Sequence, residues 1–367
     1  VLIAAVDGAT VPRRASYSGA RERTMTRAQG NPLSGWRLDP ATIRTVGHGL
    51  SRPECILAER DGSLWAADSR GGVMHIRPDG IQSFIGQTAG PIELEAKSAP
   101  DLLHGTLPNG LAFSRSGEIL IANFGTNALE IMTRDGETRT LYDAIDGVPL
   151  GKVNFVLRDR RDRLWITVST RIDPWSDAIC SRIADGYVAV IDEHGPRVVA
   201  EGFCFANEIR FDADEEWLYV AETCARRVTR LRVMPDGSLR DREVYGPSSL
   251  KTGLIDGIAF DSHGNLWATL ICADQLVAIT PEGDVLTLWD DGDPATMTRF
   301  DAELDRGEVV SAEAMGATGG TVAPLLTSLT FGGADLRTVY LGSLKGQTIP
   351  YFASPVAGLP MIHWNER

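Results

Sequence analysis

The sequence predicts an all-β, six-bladed β-propeller with a metal site at its centre. Three observations carry this prediction. Six polar residues (Glu54, Asn109, Asn154, Asn207, Asp256 and Ser328) are each followed 10 or 11 residues later by an apolar pair, such as Leu64-Trp65 or Leu266-Trp267. These anchors recur after 55, 45, 53, 49 and 72 residues, a period that suits blades of short strands better than two unrelated domains. Between each anchor and its pair lies a turn signal, such as Asp61-Gly62 or His263-Gly264-Asn265.

Each repeat reads as strand, tight turn, strand. Glycine takes positive φ in such a turn without steric cost, so Asp-Gly and Ser-Gly between apolar runs mark hairpins. The two 11-residue spacings fall where the turn is one residue longer, at 211–216 and 332–335. A third strand is marked at 73–76, 129–132 and 276–279, each before another Gly-containing turn. The fourth, outer strand is weakly patterned, as its exposure requires. The last repeat supplies strands at 328–331, 339–342 and 348–352, and its missing outer strand is expected from residues 43–46. That closure removes an open sheet edge. Residues 1–36 read as an N-terminal arm and 37–367 as a single propeller. Two long connections, 171–185 and 290–321, are expected as lids or simple insertions.

The net charge of −13 argues against nucleic acid and anionic membranes as partners. No apolar run is long enough to span a bilayer, and the opening 1–6 is too short for a signal-peptide core. The five cysteines have no CxxC spacing, which speaks against structural zinc and a disulfide framework. Free thiols point to the cytoplasm, with a secreted or periplasmic location as the alternative. A small-molecule substrate is expected as the partner.

The first strand of each blade lines a propeller's channel, so equivalent anchors point at one axis. Residues spread along most of the chain thereby become neighbours. Two carboxylates and three amide oxygens, with no His or Cys, describe a site for one hard divalent cation. Calcium suits it best, because it accepts about six to eight oxygens in flexible geometry; Zn2+, Fe2+ and Mn2+ are alternatives. Asn109-Gly110 and Asp256-Gly257 also fit turns. A turn role does not explain why they share a register with Glu54 and Asn154, which no glycine follows.

Second-strand ends should border the same pocket. They carry Asp68, Arg70, Asn123, Thr170, Arg171, Glu222, Cys224, Cys272 and Lys345. Asn109, Asn123, Lys152, Phe155 and Trp175 are the candidate substrate contacts, and Lys152 or Arg171 can steady an oxyanion. His104, five residues before Asn109, is expected at the surface. No Gly-x-Ser-x-Gly elbow or phosphate loop is present.

The segments Arg52-Pro53-Glu54, Lys152-Val153-Asn154, Phe205-Ala206-Asn207-Glu208-Ile209 and Ile255-Asp256-Gly257-Ile258-Ala259 resemble the senescence marker protein, gluconolactonase and luciferin-regenerating enzyme family, which includes diisopropyl fluorophosphatase. The strand Leu218-Tyr219-Val220-Ala221-Glu222-Thr223 is similar to it as well. The resemblance covers residues 45–350. It implies a metal held by Glu54, Asn154, Asn207 and Asp256, with Asn109 on water or substrate. It also implies hydrolysis of sugar lactones or phosphorus esters, with the residue at Asp256 as general base or nucleophile. Two departures concern the substrate: Phe155 stands where the family has Asp, and Lys152 where some lactonases have Arg. A loop glutamate of those lactonases has no match near Ile172. These departures favour a bulkier, less hydroxylated substrate than gluconolactone. The short stretch Val339-Tyr340-Leu341-Gly342-Ser343-Leu344 also looks like strictosidine synthase relatives. Two other readings therefore stand beside hydrolysis. One is a metal-dependent lyase, isomerase or carbon–carbon-forming enzyme; the other is a non-catalytic binding propeller pinned by its metal.

Overall fold

Six four-stranded antiparallel sheets follow one another along the chain. The computed structural model describes residues 30–88 and 106–366. The innermost strands, one per blade, are Ile56–Ala58, Pro108–Phe113, Val153–Arg158, Ala206–Phe211, Leu254–Phe260 and Leu326–Gly332. Every residue of the first, second, third and fifth is buried, as expected for strands enclosed between channel and neighbouring blades. The outer strands alternate or are exposed, for example Leu239–Tyr245 in blade 4. That difference explains why their sequence pattern is weak.

The ring closes as the sequence predicts. Arg44–Val46 pairs antiparallel with Ile349–Ala353, with Val46 opposite Ile349, so the outer strand of blade 6 comes from the N-terminal side. Just before it, Leu33 is buried and Trp36 packs on Trp267 and Phe352. These contacts join the chain start of the ring to the apolar core of blades 5 and 6.

A second repeat stiffens the hairpins. In blades 1, 3 and 5 an acidic residue six positions before the buried tryptophan accepts its indole N–H. The pairs are Glu59–Trp65 at 2.6 Å, Asp159–Trp165 at 2.9 Å and Asp261–Trp267 at 2.9 Å. Asp159 and Asp261 also accept backbone N–H groups of their turns. A large side chain is thereby buried with its one polar atom satisfied.

Both long connections leave the end of the ring where the inner strands begin. The 290–321 connection contains two helices, α1 (Pro294–Asp305) and α2 (Ala312–Gly316). Asp293 caps α1, Pro294 opens it, and Met297, Phe300 and Leu304 form its buried face. The other connection holds a 3-10 turn at Trp175–Ala178. The two are tied together: Val310 N–H donates to Ile179 O at 2.9 Å and Ser181 Oγ to Leu304 O at 2.8 Å. Arg226 fixes α1 to blade 4 through Asp301 at 2.9 Å and Asp305 at 3.0 Å.

Candidate metal centre

Five of the six anchors sit at an irregularity of their strand, and Glu54 lies just before its strand begins. The antiparallel register shifts between Pro108 and Leu111, Val153 and Phe155, Ala206 and Ile209, Ile255 and Ile258, and Leu326 and Leu329. These bulges contain Asn109, Asn154, Asn207, Asp256 and Ser328. A bulge re-aims a side chain and interrupts pairing, here at the same level of five consecutive blades. Threonines on the second strands satisfy the freed amides: Phe155 N–H donates to Thr167 Oγ1 at 3.1 Å and Gly257 N–H to Thr269 Oγ1 at 2.8 Å.

The anchors meet one another. Asn109 lies close enough to the Glu54 carboxyl to favour its ionised form and donates to Asn154 O at 3.0 Å. Asn207 lies close enough to Asp256 to favour its ionised form and donates to Thr223 Oγ1 at 3.1 Å. Ser328 Oγ donates to the Glu54 carbonyl, so this anchor joins the last blade to the first through the backbone. Glu54, Asn154, Asn207 and Asp256 are 4, 4, 3 and 6 % exposed.

Three oxygens of this set, Asn154 Oδ1, Asn207 Oδ1 and Asp256 Oδ1, are buried without any hydrogen-bond donor. Unpartnered buried acceptors are costly and rare, and a cation is the partner that satisfies several at once. The donor chemistry fits a hard divalent ion. Among the described residues no three His, Cys, Asp or Glu side chains form a metal-binding group, so this set depends on its two amides.

Charge points the same way. Burial and the neighbouring Glu54 and Glu208 carboxylates hold the Asp256 carboxyl well above its usual range. Burial raises Glu54 too, partly opposed by the Arg52 guanidinium. Glu208, next to Asn207, is pushed up to about 7 by burial. It accepts from Ile258 N–H at 3.1 Å and pairs with Arg210 at 2.8 Å.

Arg52 was not singled out as a site residue by the sequence. It adopts a left-handed backbone, φ 56°, which is uncommon outside glycine. Its guanidinium donates to Asn109 Oδ1 at 2.7 Å and Pro108 O at 3.3 Å, and its charge acts on Glu54 and Asp256. The unusual φ places a cation beside two carboxylates; no sequence pattern signals it.

The remaining candidates divide. Lys152 is buried, with Nζ 5.7 Å from the Phe124 ring centre, and burial lowers its pKa. Trp175 packs against Phe124 and Phe205 at 5.5 and 6.3 Å. Phe155 lies elsewhere: it is 2 % exposed in the apolar core, with Arg210 over its ring at 4.6 Å. Asn123 is fully buried and saturated, donating to Thr106 Oγ1 and Glu130 and accepting Leu107 N–H at 2.8 Å. The exposed Arg171 lies over the Tyr187 ring at 4.2 Å, and its backbone N–H is held by Asp185. Asp68 pairs with Arg70, and Glu222 with Arg227. Cys224 and Cys272 are free thiols. His104 lies outside the described residues.

Fold and site together define a class of protein: a six-bladed propeller that gathers oxygen donors at one end of its channel. The chain belongs to the SMP-30/Gluconolactonase/LRE-like family, whose pattern matches residues 52–313. It is 25% identical over 183 residues to a 6-deoxy-6-sulfogluconolactonase of Pseudomonas putida, covering 48% of this chain and 53% of that one. It is 28% identical over 226 residues to pentonolactonase XacC of Haloferax volcanii, covering 58% and 65%. These matches thus span between about half and two thirds of the two relatives. A luciferin-regenerating enzyme shares the fold with a TM-score of 0.63 at 15% identity, over 87% of this chain and 98% of that one. Regucalcin from Agrobacterium tumefaciens, described as a calcium-binding protein, does so with a TM-score of 0.61 at 14% identity, over 86% and 96%.

Proposed function

We propose that this protein is a divalent-metal-dependent hydrolase of lactones or related esters. The observation that carries the reading is the set of unpartnered buried oxygens on Asn154, Asn207 and Asp256, gathered with Glu54. The two lactonase relatives support the reaction class, and the calcium-binding neighbour supports calcium as the first choice of ion. Glu54, Asn154, Asn207 and Asp256 would hold the ion. A bound divalent ion supplies Lewis acidity to the carbonyl under attack.

The chain's own residues account for the rest. Asp256 takes the proton of the attacking water, or itself attacks as a nucleophile. Its unpartnered Oδ1 leaves the carboxylate free to meet the ion or the water. Lys152, without a hydrogen-bonded carboxylate, would steady the negative charge that develops on the carbonyl oxygen, and the proton taken by Asp256 then passes to the departing alkoxide oxygen. Arg171 receives no role, because Tyr187 and Asp185 engage it. The five free cysteines support a reducing compartment. No helix among the described residues is long and apolar enough to cross a membrane.

The test is turnover of a lactone and aryl-ester panel before and after chelation. Activity that disappears with EDTA and returns with one divalent ion is the expected result. A panel left unhydrolysed, with a melting temperature that still depends on the ion, would leave only a metal-pinned binding propeller.

A further inference from the structure

Beside the candidate metal centre, Phe124, Phe205 and Trp175 form an aromatic wall continuous with the apolar core. Phe205 lies two residues before Asn207, and Lys152 two before Asn154, so both sit one step along their chains from the ligand layer, towards the end where the inner strands begin. Phe124 is held there by its N–H bond to Leu107 O at 3.0 Å, and Leu107 is two residues before Asn109. The 3-10 turn brings Trp175 onto this layer, against Phe124 and Phe205. Phe124 and Phe205 are themselves 6.5 Å apart. Phe205 adopts a left-handed φ of 59°, a costly backbone state for a bulky side chain. Such strain is a reason to seek a role beyond packing.

The polar groups on this wall share one chemical character. Trp175 Nε1 is buried with no acceptor among the described residues. Lys152 Nζ rests over Phe124; Asp173 influences it without forming an ion pair. Both groups are donors. Asn109, by contrast, already uses its amide on Arg52 and Asn154. A ligand that satisfies this wall brings acceptors and an apolar body. A polyhydroxylated sugar also brings a donor with every hydroxyl, and a wall made of donors leaves those unpaired.

We propose that the substrate is an anionic lactone or ester with a planar aromatic body, its charge held by Lys152 and its ring by Phe124, Trp175 and Phe205. This rests on the hydrolase reading above and adds the substrate class. It assigns Lys152 and the aromatic wall to recognition.

Binding tests it independently of turnover. The calcium-loaded full chain is titrated calorimetrically with 2-naphthoate, 2-naphthamide, cyclohexanecarboxylate and gluconate. We expect 2-naphthoate to bind at least tenfold tighter than each of the others. Lys152→Met should abolish the preference for the acid over the amide, and Lys152→Arg should restore it. Trp175→Leu should abolish the preference for naphthyl over cyclohexyl. An acid preference that survives Lys152→Met belongs to the metal alone and overturns the anion assignment. Gluconate binding as tightly as naphthoate overturns the aromatic one. Chelator-sensitive lactone turnover combined with unselective binding would sink this substrate class and leave the hydrolase reading standing. Selective binding without turnover of any lactone or ester would do the reverse.

Discussion

Glu208 and Arg210 form an ion pair at 2.8 Å with side chains 2 and 11 % exposed, one residue along the chain from a proposed metal ligand. Arg210 also covers the Phe155 ring, and Glu208 binds Ile258 N–H of the next blade. The pair thus joins two inner strands beneath the anchors. Removing one partner of a buried pair leaves the other charge uncompensated, at a cost of about 3–5 kcal/mol. Arg210→Leu should destabilise the metal-free protein by roughly that amount in urea unfolding. Glu208→Gln/Arg210→Leu removes both charges, keeps the acceptor for Ile258 and should recover most of the loss. A single mutant within about 1 kcal/mol of the parent would mean the pair is solvent-screened.

The same carboxylates set a pH dependence. Burial raises Glu208 from 4.5 to about 7 and raises Glu54 and Asp256 as well. A raised carboxyl pKa means that the folded state holds protons the unfolded chain has released. Stability from this source is complete below about pH 4.5 and is lost as pH rises through about 7. Ion binding needs Glu54 and Asp256 ionised, so calcium counteracts the loss where it is largest. Calcium at a hundredfold its Kd adds about 2.7 kcal/mol. The melting-temperature gap between calcium-loaded and EDTA-treated protein should therefore widen from pH 4.5 to 7. A gap that is constant or shrinks over that range would contradict the ligand set.

Asp256 has two separable duties, holding the ion and handling a proton. Asp256→Asn keeps an oxygen donor at Oδ1 and removes the basic carboxylate. Turnover should fall by roughly a hundred- to ten-thousand-fold, the usual worth of a general base. Calcium should still bind, detected by calorimetry or by thermal shift. Asn154→Ala and Asn207→Ala should instead lose calcium together with activity, because each deletes one unpartnered oxygen. Full activity in Asp256→Asn would remove the residue from the mechanism.

The ring and its anchors were legible because they repeat. Glu54, Asn154, Asn207 and Asp256 share one phase, and the closing strand at 43–46 was required by the open edge. What deviates from the repeat was not legible. Phe155 follows Asn154 directly, and the neighbouring residue of an extended chain faces the other way, so it enters the core. Asn123 was expected to face substrate, yet Thr106 and Glu130 use up its amide. Arg52 gains its position through a left-handed φ, and α1 with α2 occupies what read as an irregular loop. Tertiary hydrogen bonds decide these cases, and they join residues far apart in sequence.

Two of the anchors are followed by glycine for a packing reason that the turn explanation misses. A Cβ on Gly257 would lie 2.5 Å from Thr327 O and 2.6 Å from Ser328 Cα. A Cβ on Gly110 would lie 2.6 Å from Phe155 Cα. In both cases the obstacle is the backbone of the next inner strand, which cannot swing aside as a flexible side chain can. The glycines therefore set how closely neighbouring inner strands approach, and with that the spacing between anchors. Gly257→Ala should cost about 1–3 kcal/mol or more, the range for overpacking a filled interior. It should also weaken calcium binding, since it pushes blade 5 away from blade 6 beside Asp256. Gly316→Ala is the matched control, because its Cβ meets nothing within 4 Å. Equal stability and equal calcium affinity in the two variants would show that the ring expands freely at this level.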